Sequence, residues 1–371
     1  MASPFCRVIS ILYLYAMEIL RLFLLPFAFL YGMGVRLRNL FFDWGLLRQQ
    51  KFPFPVISVG NLTTGGTGKT PHIEYLIRLL SPDYKIATLS RGYGRKTRGF
   101  FKGKPDDNAL RMGDEPMQYI RKFSGISVFV DEKRRRGIRQ ILKDESDVEV
   151  VLLDDAFQHR YVRPGLSIIL TDYLKPYPDN YLLPAGSLRE PVSGAKRADI
   201  IVVTKSPKVL SPITRRSMMA ALKPVGNQNV YFSFIRYGEI IPLWDSLPKP
   251  EPDHKYSTIL LFAGIANVYP IQEYLSDLCF ELITIPFSDH YHYKSSDLDR
   301  INKNFSDLYS RNKLLITTEK DVMRLLVPGL DKQVRGMPIH YLPIEVRFHK
   351  QDRQAFDEQI KKYVSENQRK S

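Results

Sequence analysis

The sequence predicts an α/β protein: a parallel sheet sandwiched by helices, followed by a second, smaller α/β domain and preceded by an N-terminal apolar helix. Three observations carry the prediction. Short runs apolar on both faces alternate with longer mixed stretches from residue 51 to about 205, and the alternation resumes at residue 258. That is the pattern of buried parallel strands covered by helices on each side. A glycine-rich turn joins the first such run to the first helix, and residues 1–42 are apolar and aromatic with charges only at Arg7, Glu18, Arg21, Arg36 and Arg38.

The glycine-rich turn is the most informative stretch. Residues 55–71 read PVISVGNLTTGGTGKTP. Val56, Ile57 and Val59 form a buried strand. Gly65, Gly66 and Gly68, with Thr67 between them, let backbone N–H groups close on an oligophosphate. A helix starts at Lys69 and points the positive end of its dipole at the same anion. Lys69 reaches the β- and γ-phosphates, and the Thr70 hydroxyl suits Mg²⁺. The arrangement is P-loop NTPase-like. Thr63 stands where the GxxxxGK[ST] pattern has its first glycine, with Gly60 three residues earlier; the strand before and the helix after sustain the reading against a turn with an incidental lysine.

Composition narrows the partners. Fifty-four Lys and Arg against 39 Asp and Glu give a formal charge of +15, which favours an anionic partner such as a nucleotide, a nucleic acid or an anionic membrane surface. No recognised nucleic-acid motif accompanies the charge, so none is expected as partner. Cys6 and Cys279 are the only cysteines, which excludes a disulfide framework and a zinc-ligand spacing and suits a reducing compartment.

Taken in order, residues 1–50 form an apolar membrane-associating segment. Its longest uncharged run, 22–35, falls short of the roughly twenty residues a span needs, and arginines flank aromatic and aliphatic residues. A helix lying at the headgroup level of an anionic leaflet fits these features; a core-packed helix is the alternative. Residues 51–229 form the P-loop domain, with strands at 55–59, 85–89, 127–130, 148–153, 167–171 and 199–203 and helices at 69–80, 113–123 and 132–142. After Lys205 prolines at 207, 212, 224, 242, 248, 250 and 252 loosen the chain. Residues 230–257 are read as a β-rich hinge. A second domain, 258–371, opens with strands at 259–262, 282–286 and 313–317 and helices at 268–279 and 295–309, and ends in a polar helical tail.

The apolar run 148–153 ends in Asp154 and Asp155. Ligands in such sheets gather at the carboxyl ends of strands, so both carboxylates are placed with Thr70 around Mg²⁺; a solvated acidic turn is the alternative. The flanking segments are as distinctive: SRGYGR at 90–95, GDEP at 113–116 and DDAFQHR at 154–160. Further on stand LLPAGSLREP at 182–191, VVTK at 202–205, FSDHYHY at 287–293 and ITTEKD at 316–321. Together, in this order, they resemble the tetraacyldisaccharide 4'-kinase family over residues 55 to about 324 and in the apolar N-terminus. That family's loop likewise resembles GGTGKTP without the first glycine.

The resemblance implies an ATP- and Mg²⁺-dependent kinase. It would transfer the γ-phosphate of ATP to the 4'-hydroxyl of an acylated glucosamine disaccharide 1-phosphate in lipid A biosynthesis. It would act as a peripheral protein on the cytoplasmic face of the bacterial inner membrane, with no obligate protein partner. A sugar hydroxyl is a poor nucleophile, and a carboxylate that takes its proton helps it attack in line. The family pattern maps the base onto Asp114 and its assisting imidazole onto His290, in the second domain, so that domain closure would assemble the pair. A helix cap is the other reading of Asp114, and His292 is the rival of His290. The resemblance places Gln158, Arg189 and Glu190 beside the nucleotide or sugar and Glu115 near the metal. One member of the run Lys133, Arg134, Arg135 and Arg136 serves an anion or simply covers a solvated helix face, and Tyr93 lines the site or packs in its turn. The other function in view is a P-loop NTPase that couples ATP hydrolysis to partner binding at a membrane surface.

Overall fold

The computed structural model describes residues 4–251 and 254–368, with side chains from residue 18 onward. Arg7, Cys6 and Pro252, used above, lie outside the described side chains or residues. Helix α1 (Pro4–Asp43) leads into β1 (Val56–Asn61) and α2 (Lys69–Leu80), then β2 (Ile86–Ser90), β3 (Phe101–Lys102), α3 (Ala109–Met112) and α4 (Asp114–Lys122). There follow β4 (Ser127–Val130), α5 (Arg134–Asp144), β5 (Val150–Asp154), β6 (Leu166–Asp172), β7 (Ile200–Thr204), α6 (Pro212–Leu222), β8 (Asn229–Tyr237) and β9 (Ile241–Pro242). The chain continues with β10 (Tyr256–Ala263), α7 (Tyr269–Ser276), β11 (Cys279–Pro286), α8 (Ser295–Ser306), β12 (Lys313–Thr318) and α9 (Glu319–Leu325). It closes with α10 (Asp331–Arg335), β13 (Ile339–Leu342), β14 (Ile344–Phe348) and α11 (Lys350–Glu366).

These elements gather into two compact units that interleave along the chain: Met1–Lys69, Asp155–Phe234 and Phe348–Asn367 in one, Thr70–Asp154, Ile235–Arg347 and Gln368–Ser371 in the other. In the first unit β1 pairs with β6, β6 with β7 and β7 with the start of β8, all parallel. Every residue of β1 and β7 is buried, as strands covered on both faces require. Leu62, Phe157, Ile169, Leu188, Ile201 and Phe232 form the core. Helix α11 turns Phe356, Ile360 and Val364 inward at four-residue spacing. Its Tyr363 hydroxyl accepts from Val56 N at 3.2 Å and donates to Val56 O at 3.3 Å.

The second unit holds two sheets. In one, β2 lies between β5 and β4, all parallel, with β3 antiparallel on β4. In the other, β10 lies between β11 and β12, β13 is parallel to β12, and β9 is antiparallel at the edge. Ala109, Met112, Met117 and Val130 pack on Val322 and Met323 in one apolar cluster, which seats α4 against α9.

Three readings change. Helix α6 occupies a stretch taken as loose: Ser211 caps it by accepting from Thr214 N at 3.1 Å, and Pro212 takes the first turn, where its missing N–H costs nothing. The tail is not all helix, because β13 and β14 precede α11. The third concerns α1, which runs on through Arg36 and Arg38. Glu18–Asp43, 26 residues with an 18-residue window of mean hydropathy 1.6, is long and apolar enough to cross a membrane by length and composition, so the shortness of the uncharged run does not by itself exclude crossing. Of that window's residues 11% are buried, and Leu22, Phe23, Phe27, Phe29 and Leu30 are exposed.

Candidate active site

The phosphate loop is built by backbone. Gly65 has φ +104 and Gly68 has φ +86, left-handed conformations open to glycine at little cost. An added Cβ at Gly65 or Gly66 would meet nothing within 4 Å, so open space lies before the loop where an oligophosphate would rest. Asn61, at the end of β1, pins it by donating from Nδ2 to the Thr67 hydroxyl at 2.9 Å. Thr64 N donates to Ser187 O at 2.7 Å, and Arg189 N to Leu62 O at 2.7 Å, which ties the SLREP segment to the loop.

Lys69, 10% exposed, stands 3.6 Å from Asp155, and Arg189 NH1 lies 3.0 Å from the same carboxylate. Asp155 takes the left-handed region at φ +47. Gln158 Nε2 donates to Asn61 O at 2.7 Å and to Glu190 at 3.0 Å, while Arg197 meets Glu190 at 2.7 Å. The structure thus brings Lys69, Asp155, Gln158, Arg189 and Glu190 into one network around the loop. Helix α1 joins it. Tyr31 OH donates to Arg189 O at 2.7 Å, Arg38 to Gln158 O at 3.3 Å and Asn39 to Glu190 at 3.4 Å.

In the second unit, Thr70 is buried in the first turn of α2. Asp154, 1% exposed at the end of β5, accepts from Tyr119 OH at 3.0 Å and from Ser90 Oγ at 3.3 Å. Burial, then the Asp154 charge, pushes the Tyr119 phenol well above its ordinary pKa. Arg134 proves structural: fully buried, it donates to Asp131 O at 2.9 Å and to Asp154 O at 3.0 Å. Arg136 forks onto Asp131 at 2.9 and 2.7 Å, whereas Lys133 and Arg135 are exposed.

Gly113, at φ +96, opens α4. A Cβ there would stand 2.9 Å from Tyr93 O and 3.1 Å from Gly92 Cα, so GDEP can lie on SRGYGR only with glycine at this position. Asp114 follows, buried. It is not the N-cap, a place held by Gly113, although its Oδ1 accepts from Glu115 N at 3.0 Å. Oδ2 accepts from Arg324 Nε at 3.0 Å and NH2 at 2.7 Å, and His290 Nδ1 lies 3.3 Å from it. Burial alone would raise the Asp114 pKa; the His290 hydrogen bond and the charges of Lys320 and Arg324 outweigh it and hold the carboxyl far below the usual range. Asp114 and His290 therefore already meet within one unit. His290 adopts φ +57 and packs edge-on to Tyr93, ring centres 4.9 Å apart. Left-handed backbone costs a non-glycine residue about 1–2 kcal/mol, less for Asp and His than for bulkier types. His292 is exposed.

Sequence reasoning passes over Arg324 and Lys320. Thr318 caps the start of α9: its Oγ1 accepts from Asp321 N at 3.2 Å and donates to Asp321 Oδ2 at 2.6 Å. That explains the TTEKD pattern. Arg324, three residues on and so on the same helix face, donates through NH1 to Gly264 O at 2.7 Å and to Asp321 at 3.0 Å. Lys320 pairs with Glu115 at 2.8 Å, so the carboxylate expected near a metal is held by a lysine. Among the described residues no group of three or more His, Cys, Asp or Glu is placed to hold a metal ion.

Comparisons with known proteins bear on the chain as a whole. A model of the tetraacyldisaccharide-1-P 4'-kinase family matches residues 20–365. The tetraacyldisaccharide 4'-kinase of Phocaeicola vulgatus is 44% identical over 355 residues, 94% of this chain and 96% of that one. The Flavobacterium johnsoniae enzyme of the same name is 45% identical over 354 residues, 95% of this chain and 99% of that one. Among solved structures, LpxK from Aquifex aeolicus in complex with ATP superposes with a TM-score of 0.69 at 27% identity, covering 93% of this chain and 99% of that one.

Proposed function

This chain belongs to the tetraacyldisaccharide-1-P 4'-kinase family, and on that premise we propose that it transfers the γ-phosphate of ATP to the 4'-hydroxyl of tetraacyldisaccharide 1-phosphate. The observation that carries the reading is Asp114, a buried carboxylate kept ionised beside His290. Asp114 takes the proton of the 4'-hydroxyl as its oxygen attacks the γ-phosphorus in line. The bond to the β,γ-bridging oxygen breaks, ADP leaves, and the proton passes from Asp114 to solvent with His290 as its neighbour. Lys69 sits where its charge neutralises the transferring phosphoryl group, and Gly65, Gly66, Thr67 and Gly68 present N–H groups to the phosphates. Gln158, Arg189 and Glu190 brace that loop.

Thr70 and Asp154 would supply the hard oxygen ligands Mg²⁺ takes, with Asp155 next to Asp154 in sequence and Glu115 next to Asp114. When bound, Mg²⁺ neutralises phosphate charge and orients the triphosphate. The exposed apolar residues of α1 and its arginines support a position on the cytoplasmic leaflet of the inner membrane as part of the same reading.

The test is mass spectrometry of tetraacyldisaccharide 1-phosphate incubated with detergent-solubilised protein, Mg²⁺ and ATP, beside Asp114→Ala and an EDTA control. A phosphate added to the distal sugar, nearly lost in both controls, is expected. Undiminished product from Asp114→Ala removes Asp114 as base. ATP turnover independent of acceptor, without lipid product, would favour the partner-coupled NTPase instead.

A further inference from the structure

We infer that Arg324 is a positioning residue for phosphoryl transfer: it anchors Asp114 by Oδ2 and so assigns Oδ1 to the incoming hydroxyl. The inference rests on the reading of Asp114 as base. Arg324 is 4% exposed in its side chain and every branch of the guanidinium is engaged: Nε and NH2 on Asp114 Oδ2, NH1 on Gly264 O and Asp321. Asp321 is itself fixed, accepting from Thr318 Oγ1 at 2.6 Å and from Gly264 N at 3.1 Å. The anchor therefore reaches from the N-cap of α9 to one oxygen of one carboxylate on α4. Both Arg324 donors and the His290 ring converge on Oδ2, while Oδ1 takes only the backbone N–H of Glu115. A carboxylate so held cannot swing its oxygens, which keeps the proton acceptor at a fixed distance and angle.

The geometry at His290 adds a constraint. Arg324 NH2 also stands 3.3 Å from His290 Nδ1. An ionised carboxylate can only accept, so the 3.3 Å approach of His290 Nδ1 to Asp114 Oδ2 calls for a proton on Nδ1, and Arg324 and the imidazole then share that one oxygen as donors. Arg324 thereby holds the oxygen that the imidazole bonds.

The experiment is a double-mutant cycle on the full chain, reading kcat with saturating acceptor and KM for ATP. Arg324→Met is expected to lower kcat about 100-fold, the penalty of a catalytic group displaced by about an ångström, with KM for ATP within about twofold. In the Asp114→Asn background the same change is expected to cost less than about threefold, because the residue it positions is already gone. Guanidinium ion added to Arg324→Ala is expected to restore part of kcat, and Arg324→Lys to keep more than Arg324→Met. Should Arg324→Met fail to fold, Arg324→Lys carries the cycle. Multiplicative losses in the double variant, or kcat unchanged in the single, overturn the positioning role while leaving Asp114 as base. Undiminished kcat in Asp114→Asn alone instead overturns the reading on which the inference stands.

Discussion

Two aspartate–arginine pairs, each with a buried carboxylate, show how similar residues serve different ends. In the first unit Arg215 forks onto Asp352: NH2 meets Oδ1 at 2.6 Å, NH1 meets Oδ2 at 2.7 Å, and Phe232 N adds a third donor to Oδ2 at 3.0 Å. Both oxygens are taken by cation, and Asp352 fastens α11 to α6 through the arginine and to β8 through the Phe232 N–H. In the second unit Arg324 loads one oxygen of Asp114 and leaves the other with a single backbone donor. Side-chain exposure hardly separates the carboxylates, 5% against 7%. What separates them is the distribution of donors: a fork on both oxygens makes a fastening, and an end-on grip leaves a reactive face.

The strongest way to break this contrast is Asp114→Asn. It is expected to lower kcat per folded molecule about a thousandfold, within the range for loss of a general base, and to cost stability as well, because Arg324 keeps only Asp321 as a carboxylate partner; kcat per folded molecule at the parent value would reduce Asp114 to a second fastening. Asp352→Asn should cost stability alone, about 2 kcal/mol in urea unfolding through loss of the charge-assisted fork to the partly exposed Arg215, while kcat per folded molecule stays at the parent value. Gly113→Ala tests how Asp114 is delivered. A Cβ at φ +96 against Tyr93 O should cost about 2 kcal/mol of stability and lower kcat with it. If kcat holds while stability falls, the approach of GDEP to SRGYGR is a packing matter only. The smallest effect is expected from Tyr31→Phe, which removes one partly exposed hydrogen bond to Arg189 O: about 0.5 kcal/mol and less than a twofold change in KM for ATP.

The same contrast explains what the sequence made legible. The phosphate loop is local, its residues consecutive and its chemistry carried by backbone, so helix 69–80 could be read to its ends and matches α2. Asp114 and His290 came together on paper only through resemblance, being 176 positions apart with no periodicity linking them. Arg324 had no such aid: its role depends on α9 lying against α4, a tertiary fact. For Arg134 a signal existed and was passed over. Arg134, Ile138 and Ile141 recur at four and three residues and share the buried face of α5, so the run of four basic residues was already divided between interior and solvent. Ser211 before Pro212 was likewise a helix start hidden by attention to the prolines.

The grip of α1 on the SLREP segment decides where this protein can be shortened for study in solution. Removal of residues 1–35 would discard Tyr31 and the close packing of Gly32 on Leu182, so a loss of function could not be told from a loosened nucleotide site. A chain starting just ahead of Pro26 sheds exposed Ile19, Leu20, Leu22 and Phe23 yet retains Tyr31, Arg38, Asn39 and the Asp43 carboxylate that meets Arg160 at 2.5 Å. The proline then falls in the opening turn, where a helix tolerates it best. Crystallisation and detergent-free kinetics should start from that boundary.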